Sequence, residues 1–252
     1  MRFSANLGFL WSELPLPDAI RAARAAGFDA VECHWPYAVP ATEVKAALEE
    51  TGLEMLGLNA SRGDPAKGEM GFSAVPGREA EARAAIDQAL DYAEATGTGK
   101  VHVMAGFGGD HDTFVKALGY ACGKADGLGK TILIEPINHY DAPGYFLSTT
   151  AQAEAILAEV GAENLKIMFD CYHVQLMEGD LSHRLERLLP KIGHIQIAAV
   201  PDRGAPDHGE VNFAHIYRHL TALGWAVPLG AEYKPGGPTE PTLGWLKAAQ
   251  DI

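Results

Sequence analysis

Residues Thr131 to Asn138 read TILIEPIN: four apolar or β-branched residues run without a break into glutamate, proline, isoleucine and asparagine. A run that is apolar on both faces suits a parallel strand covered on both sides, and a carboxylate where it stops has left the core for a mouth. Three later segments have the same form: Leu165 to Asp170 (LKIMFD), Ile192 to Gln196 (IGHIQ) and Pro228 to Glu232 (PLGAE). Each ends an apolar run in one polar side chain, so Glu135, Asp170, Gln196 and Glu232 form a quartet at strand ends.

Upstream of TILIEPIN, strands are expected at Arg2–Leu10, Ala30–Trp35, Glu54–Asn59 and Lys100–Ala105. Helical spacing of apolar residues predicts helices over Asp18–Ala26, over Ala41–Gly52, over Arg78–Thr96 and over Asp112–Leu128, the first two stopping on glycine. Downstream, helices are expected at Thr150–Val160, capped by Ser148 or Thr149, then near Leu181–Leu189, Phe213–Leu223 and Leu243–Ala249. The chain of 252 residues suits one large α/β domain or two small ones. Eight strands each followed by a helix favour one domain, residues 1–252, folded as an α/β (β/α)8 TIM barrel. An open doubly wound sheet would carry a glycine fingerprint after its first strand, and ANLGFLWS has none. In a barrel, function sits where strands end, which is where the quartet stands. The polar stretch Ala60–Gly77 follows a strand end, so it is either a lid over the site or a surface insertion. Gly119 and Gly123, four apart on one helix, suggest close packing there.

The net charge of −13 argues against a nucleic-acid partner and for a small-molecule substrate. Three cysteines, Cys33, Cys122 and Cys171, show no paired spacing and read as reduced thiols. No basic-then-apolar leader and no long apolar run is present, so we expect a soluble cytoplasmic protein without membrane association.

Three carboxylates and an amide oxygen converging on a mouth repel one another without a cation, and all-oxygen ligation suits Mg2+ or Mn2+ better than zinc. Taken singly, each acid also fits a helix cap or an ion pair; four in register across consecutive strands make a site. His173, three residues past Asp170, is placed to hydrogen-bond a substrate hydroxyl, whereas Cys171 reads as core by strand alternation. Arg203, the one arginine in the loop after strand seven, can hold a carboxylate or stay on the surface. His34, Asn59 and His102 sit near strand ends and are left outside the catalytic set.

The segments IEPIN, DAPGYF, FDCYHVQLMEGDL, GHIQIA and GAEYKP, in this order, resemble the hydroxypyruvate isomerase branch of the xylose-isomerase-like sugar isomerase and epimerase barrels. The resemblance also takes in AGFDAVE and the PGRE before the third helix. It implies divalent-metal ligands at Glu135, Asp170, Gln196 and Glu232, with Glu135 and Glu232 doubling as the acid/base pair. It implies substrate contacts from His173, Arg203 and Asp141. Ala199 stands where the branch usually has Asp, the loop after KVHVMAG is short, and the chain ends soon after TLGWL; the first two bear on substrate fit.

The implied chemistry is an aldose–ketose type isomerisation through a cis-enediolate, taking hydroxypyruvate to 2-hydroxy-3-oxopropanoate (tartronate semialdehyde), with no nucleotide cofactor. Neighbouring possibilities are a 2-oxo-tetronate isomerase or a ketose 3-epimerase. A metal-dependent endonuclease-type hydrolase and a non-enzymatic sugar-binding barrel are the other classes, and a homo-oligomer is expected from the branch.

Overall fold

The computed structural model describes all 252 residues. Eight strands pair in parallel in sequence order and close on themselves: β1 (Phe3–Asn6), β2 (Ala30–Cys33), β3 (Glu54–Asn59), β4 (Lys100–His102), β5 (Thr131–Ile134), β6 (Leu165–Asp170), β7 (Ile192–Ile197) and β8 (Leu229–Ala231). The seam is β8 against β1, with Phe3 opposite Leu229. Nine α-helices follow the strands: α1 (Leu16–Ala26), α2 (Ala41–Thr51), α3 (Glu79–Thr96), α4 (His111–Asp126), α5 (Thr150–Val160), α6 (Cys171–Met177), α7 (Leu181–Leu188), α8 (Phe213–Ala222) and α9 (Gly244–Gln250). None is long and apolar enough to cross a membrane.

Local chemistry explains the boundaries. Helix α1 stops at Gly27, whose φ of 95° is one that residues with a Cβ avoid. Thr149 caps α5 by accepting the Gln152 N–H at 3.2 Å. Between strands and helices lies a continuous apolar layer that includes Phe3, Ile20, Val31, Ile86, Ile132, Ile167 and Ile195, all completely buried. Inside the barrel the buried side chains turn polar: Ser4, Asn6, Glu32, His102, His194 and Gln196.

Several expected elements are shorter than their sequences suggested. The first strand ends at Asn6 rather than Leu10, because the Asn6 carbonyl and side-chain oxygen accept the N–H groups of Leu10 and Gly8 at 2.9 Å each and turn the chain. The second ends at Cys33 rather than Trp35, and the fourth at His102 rather than Ala105. Cys171 is buried core as expected, but it opens helix α6, which the apolar run CYHVQLM concealed. At Gly119 and Gly123 an added Cβ would meet nothing within 4 Å, so the expected close packing is absent there. Close packing occurs instead at Gly71 (φ 88°), where a Cβ would stand 2.4 Å from that of Met104. That contact, with the bonds Ala74 N–H to Ala105 O at 2.8 Å and Asp110 N–H to Ala74 O at 2.8 Å, pins the loop after β3 onto the loop after β4.

Candidate active site

The quartet emerges on β5 to β8 at one end of the barrel. Glu135 is the first residue past β5, Asp170 the last of β6, Gln196 lies opposite Asp170 in register on β7, and Glu232 follows β8. Asp170 also caps α6, its Oδ1 accepting the Tyr172 N–H at 2.8 Å, and this helix carries His173 back over the strand ends. One candidate ligand atom from each of Glu135, Asp170, His173 and Glu232 lies within 4.8 Å of the others, and all four residues are buried.

Such a cluster strains against its own charge. Burial, then the charges of Glu232 and Asp170, push the Glu135 carboxyl well above the usual carboxylate range, and its Oε1 has no hydrogen-bond partner. Burial likewise lifts Asp170 to about 7, against the pull of Arg203. Glu232 is equally buried, yet Arg203 Nη2 at 2.6 Å and His34 Nε2 at 2.9 Å reverse the effect and hold it at about 2.

Beneath the acids, Glu32 on β2 takes His194 Nε2 at 2.6 Å, Gln196 Nε2 at 2.8 Å and Asn6 Nδ2 at 2.9 Å. Asn6 Nδ2 continues to Glu232 Oε1 at 3.0 Å. Gln196 is therefore oriented by its nitrogen, and its Oε1 is buried with no partner. Gln196 Oε1 and Glu135 Oε1 are both buried without a partner, and unpaired oxygens are the donors a hard divalent cation takes, so the residues present fit one.

His173 plays a different part. Asn138 Oδ1 accepts the N–H groups of Tyr140 and Asp141 at 2.9 Å each, which fixes its amide and sends Nδ2 to His173 Nδ1 at 2.5 Å and Asp141 Oδ2 at 3.1 Å. His173 Nδ1 is thereby an acceptor, and burial holds the ring neutral, its pKa down at about 3. The ring proton then sits on Nε2, which faces Asp170 Oδ2 at 3.5 Å and Glu135 Oε1 at 3.7 Å. A protonated nitrogen has no lone pair for a cation, so His173 acts here as a hydrogen-bond donor.

Arg203 reaches the mouth through a tight turn in which its N–H bonds Ala199 O at 2.9 Å and its own φ is 58°. Ala199 is fully buried at the base of that turn. The guanidinium lies 5.0 Å from the ring centroids of both Phe9 and Tyr172, and its Nη1 is 3.7 Å from Asp141. Above these groups opens a cavity of about 310 Å3, lined by Glu135, Glu232, Asp141, His173 and Arg203, with Phe9, Trp35, Met70 and Met104 as apolar wall. The stretch Ala60–Gly77 reaches it through Arg62 and Met70.

Sequence reasoning missed Asn6, Glu32, His194, Asn138 and Arg62, and it left out His34, which bonds Glu232. A signal was present for one of them: His194 and Gln196 stand two apart on β7 and so share its face. No pattern linked Glu32 to a histidine 162 residues away.

A closed parallel barrel with a buried, partly unsatisfied acid cluster at its strand ends defines an enzyme of the (β/α)8 class. A profile described as xylose isomerase-like TIM barrel matches residues 20–249. The chain is 46% identical to 2-oxo-tetronate isomerase of Cupriavidus necator over 98% of this chain and 97% of that one. It is 39% identical to hydroxypyruvate isomerase of Escherichia coli, with 98% of each covered. A crystal structure from Brucella melitensis, named AP endonuclease, family 2, superposes with a TM-score of 0.94 at 37% identity, covering 98% of both chains. The chain belongs to the xylose isomerase-like TIM-barrel family. Within it the chain is an isomerase, similar to those named for hydroxypyruvate and 2-oxo-tetronate.

Proposed function

We propose that this enzyme interconverts a short 2-oxo-3-hydroxy acid and its isomer by moving a proton between adjacent carbons, with hydroxypyruvate and 2-hydroxy-3-oxopropanoate as the pair. The observation that carries the reading is the convergence of Glu135, Asp170 and Glu232 with His173 at one mouth, with Glu135 Oε1 and Gln196 Oε1 left unpaired. Glu135, Asp170, Gln196 and Glu232 would hold a divalent cation, Mg2+ or Mn2+. When bound, that ion supplies Lewis acidity that favours loss of a C–H proton next to a carbonyl.

The chain's own residues do the rest. Glu135 and Glu232 approach from strands three apart in the ring, so a substrate between them meets a carboxyl on each side. One takes a proton from C3 of hydroxypyruvate, leaving a cis-enediolate over C2 and C3; a proton delivered to C2, and transfer of the hydroxyl proton from the C3 oxygen to the C2 oxygen, complete the isomer. No electron leaves the substrate, so no redox cofactor enters the balance. His173 Nε2–H donates to a substrate oxygen. Arg203 keeps Glu232 ionised, and Asp141, held by Asn138, faces the cavity as a further acceptor. A second reading, 2-oxo-tetronate as substrate, is favoured by the 46% identity to a relative of that name and uses the same steps.

Proton NMR of the Mg2+-supplemented enzyme with hydroxypyruvate in D2O tests the proposal. Deuterium should enter C3 with the unaltered enzyme and not with the Glu135→Gln, Glu232→Gln double variant. No exchange with hydroxypyruvate but exchange with 2-oxo-tetronate selects the second reading, and no exchange with either refutes both.

A further inference from the structure

The mouth holds two arginines and only one of them is spoken for. Arg203 is bound to Glu232 at 2.6 Å, stands 3.5 Å from Asp170 and 3.7 Å from Asp141, and is sandwiched between Phe9 and Tyr172. Its charge is balanced by protein acids. Arg62 lines the same cavity, half-buried, and its guanidinium makes no hydrogen bond and no ion pair with any residue. Its guanidinium carbon stands over the Trp35 ring, 4.4 Å from the ring centroid.

That position is built from both sides. Trp35 is locked by its Nε1–H bond to Ala60 O at 3.1 Å, two residues before Arg62. Arg62 O accepts the Gly71 N–H at 2.8 Å, and Gly71 is the glycine pressed against Met104. Backbone and platform are therefore held, while the fork of N–H donors is left open toward the cavity. Stacking on an indole leaves a guanidinium's edge free for a planar anion. A carboxylate is the planar anion that fork matches with two parallel hydrogen bonds.

We infer that Arg62 is the group that recognises the substrate's carboxylate, and that it makes the site selective for short oxo acids over neutral sugars of the same length. This rests on the isomerase reading above and reassigns one role within it: Arg203 positions Glu232, and Arg62 binds the acid group.

Two measurements on Mg2+-supplemented enzyme test it, using Arg62→Met and Arg62→Lys, with circular dichroism to show that each variant folds. First, KM is compared for hydroxypyruvate and for neutral glyceraldehyde, which isomerises by the same proton shift. Arg62→Met should raise KM for hydroxypyruvate about 10- to 100-fold with kcat little changed, Arg62→Lys should recover part of the loss, and the effect on glyceraldehyde should be at least about tenfold smaller. Equal losses on both substrates, or none, overturn the inference. Second, calorimetry with tartronate, a carboxylate that cannot isomerise, reads binding without turnover. If the unaltered enzyme converts no oxo acid, the proposed reaction fails, yet tartronate binding that is lost in Arg62→Met still upholds the carboxylate anchor. Tartronate that binds both proteins alike, or neither, overturns it.

Discussion

Two layers of buried polar groups stand one above the other in this barrel and meet opposite fates. In the lower layer Glu32 is fully enclosed, yet His194, Gln196 and Asn6 surround it with donors. Burial pushes its carboxyl up, the contacts with His194 and Gln196 outweigh that, and it ends below the usual range. In the upper layer Glu135 is just as enclosed, faces Glu232 and Asp170, keeps one oxygen without a partner and is pushed far up. Burial alone does not mark a site. What separates framework from chemistry is whether the protein satisfies its own acids, and a group left unsatisfied is one the protein holds for something else.

The sharpest way to break that contrast is to neutralise one acid in each layer. Glu135→Gln or Glu232→Gln should lower kcat by about 10^2- to 10^4-fold, the scale of a lost general acid or base; Glu135→Gln should leave the metal-free protein at least as stable as before, whereas Glu232→Gln, which breaks the pair with Arg203, should destabilise it. Steady-state rates beside thermal melts check this. Glu32→Ala should do the reverse in kind: it strands His194 and Gln196 and should cost about 3–5 kcal/mol of stability by denaturant unfolding. If Glu135→Gln unfolds the protein and Glu32→Ala does not, the two layers have been read the wrong way round.

A smaller effect should appear in the pH dependence of the metal-free protein. Asp170, at about 7 in the fold, binds more protons folded than unfolded above its unfolded value of about 3.9, so its contribution to stability falls as pH rises through that window. Glu135, also raised, acts in the same direction. Glu232, lowered to about 2, stabilises above about 4.5 and loses that contribution only as pH falls toward 2. The melting temperature should therefore drop by about 3–8 °C between about pH 5.5 and about pH 7.5, and Mg2+ should restore it at the upper pH but not the lower. A melt independent of pH in both conditions would show that the acids are already satisfied. The smallest change is expected for Asp141→Asn, whose partner Asn138 stays in place: a few-fold rise in KM with kcat retained, on the order of 1 kcal/mol.

The fold was legible because its unit recurs: an apolar strand, a polar residue at its end, an amphipathic helix stopped by glycine. Glu135, Asp170, Gln196 and Glu232 were legible for the same reason, since a parallel strand buried on both faces leaves polar side chains few places but its end. Helix α6 was hidden because CYHVQLM carries no break after Asp170; the signal is Asp170 itself, whose side chain caps the helix it precedes. The Asn6–Glu32–His194 layer was harder, since its members come from three distant segments and only the closed barrel brings them together. Arg62 was out of reach because its place depends on Trp35 and on the pinning at Gly71, neither of which shows in local pattern.

The most direct test of the central claim is a crystal structure of the protein soaked with Mn2+, its anomalous signal locating the ion. We predict one ion held by Glu135, Asp170, Gln196 and Glu232, with Gln196 still bonded to Glu32 through its nitrogen and His173 Nε2 outside bonding distance. An ion that takes His173 and leaves Gln196 aside, or no ion at the mouth, would contradict the account.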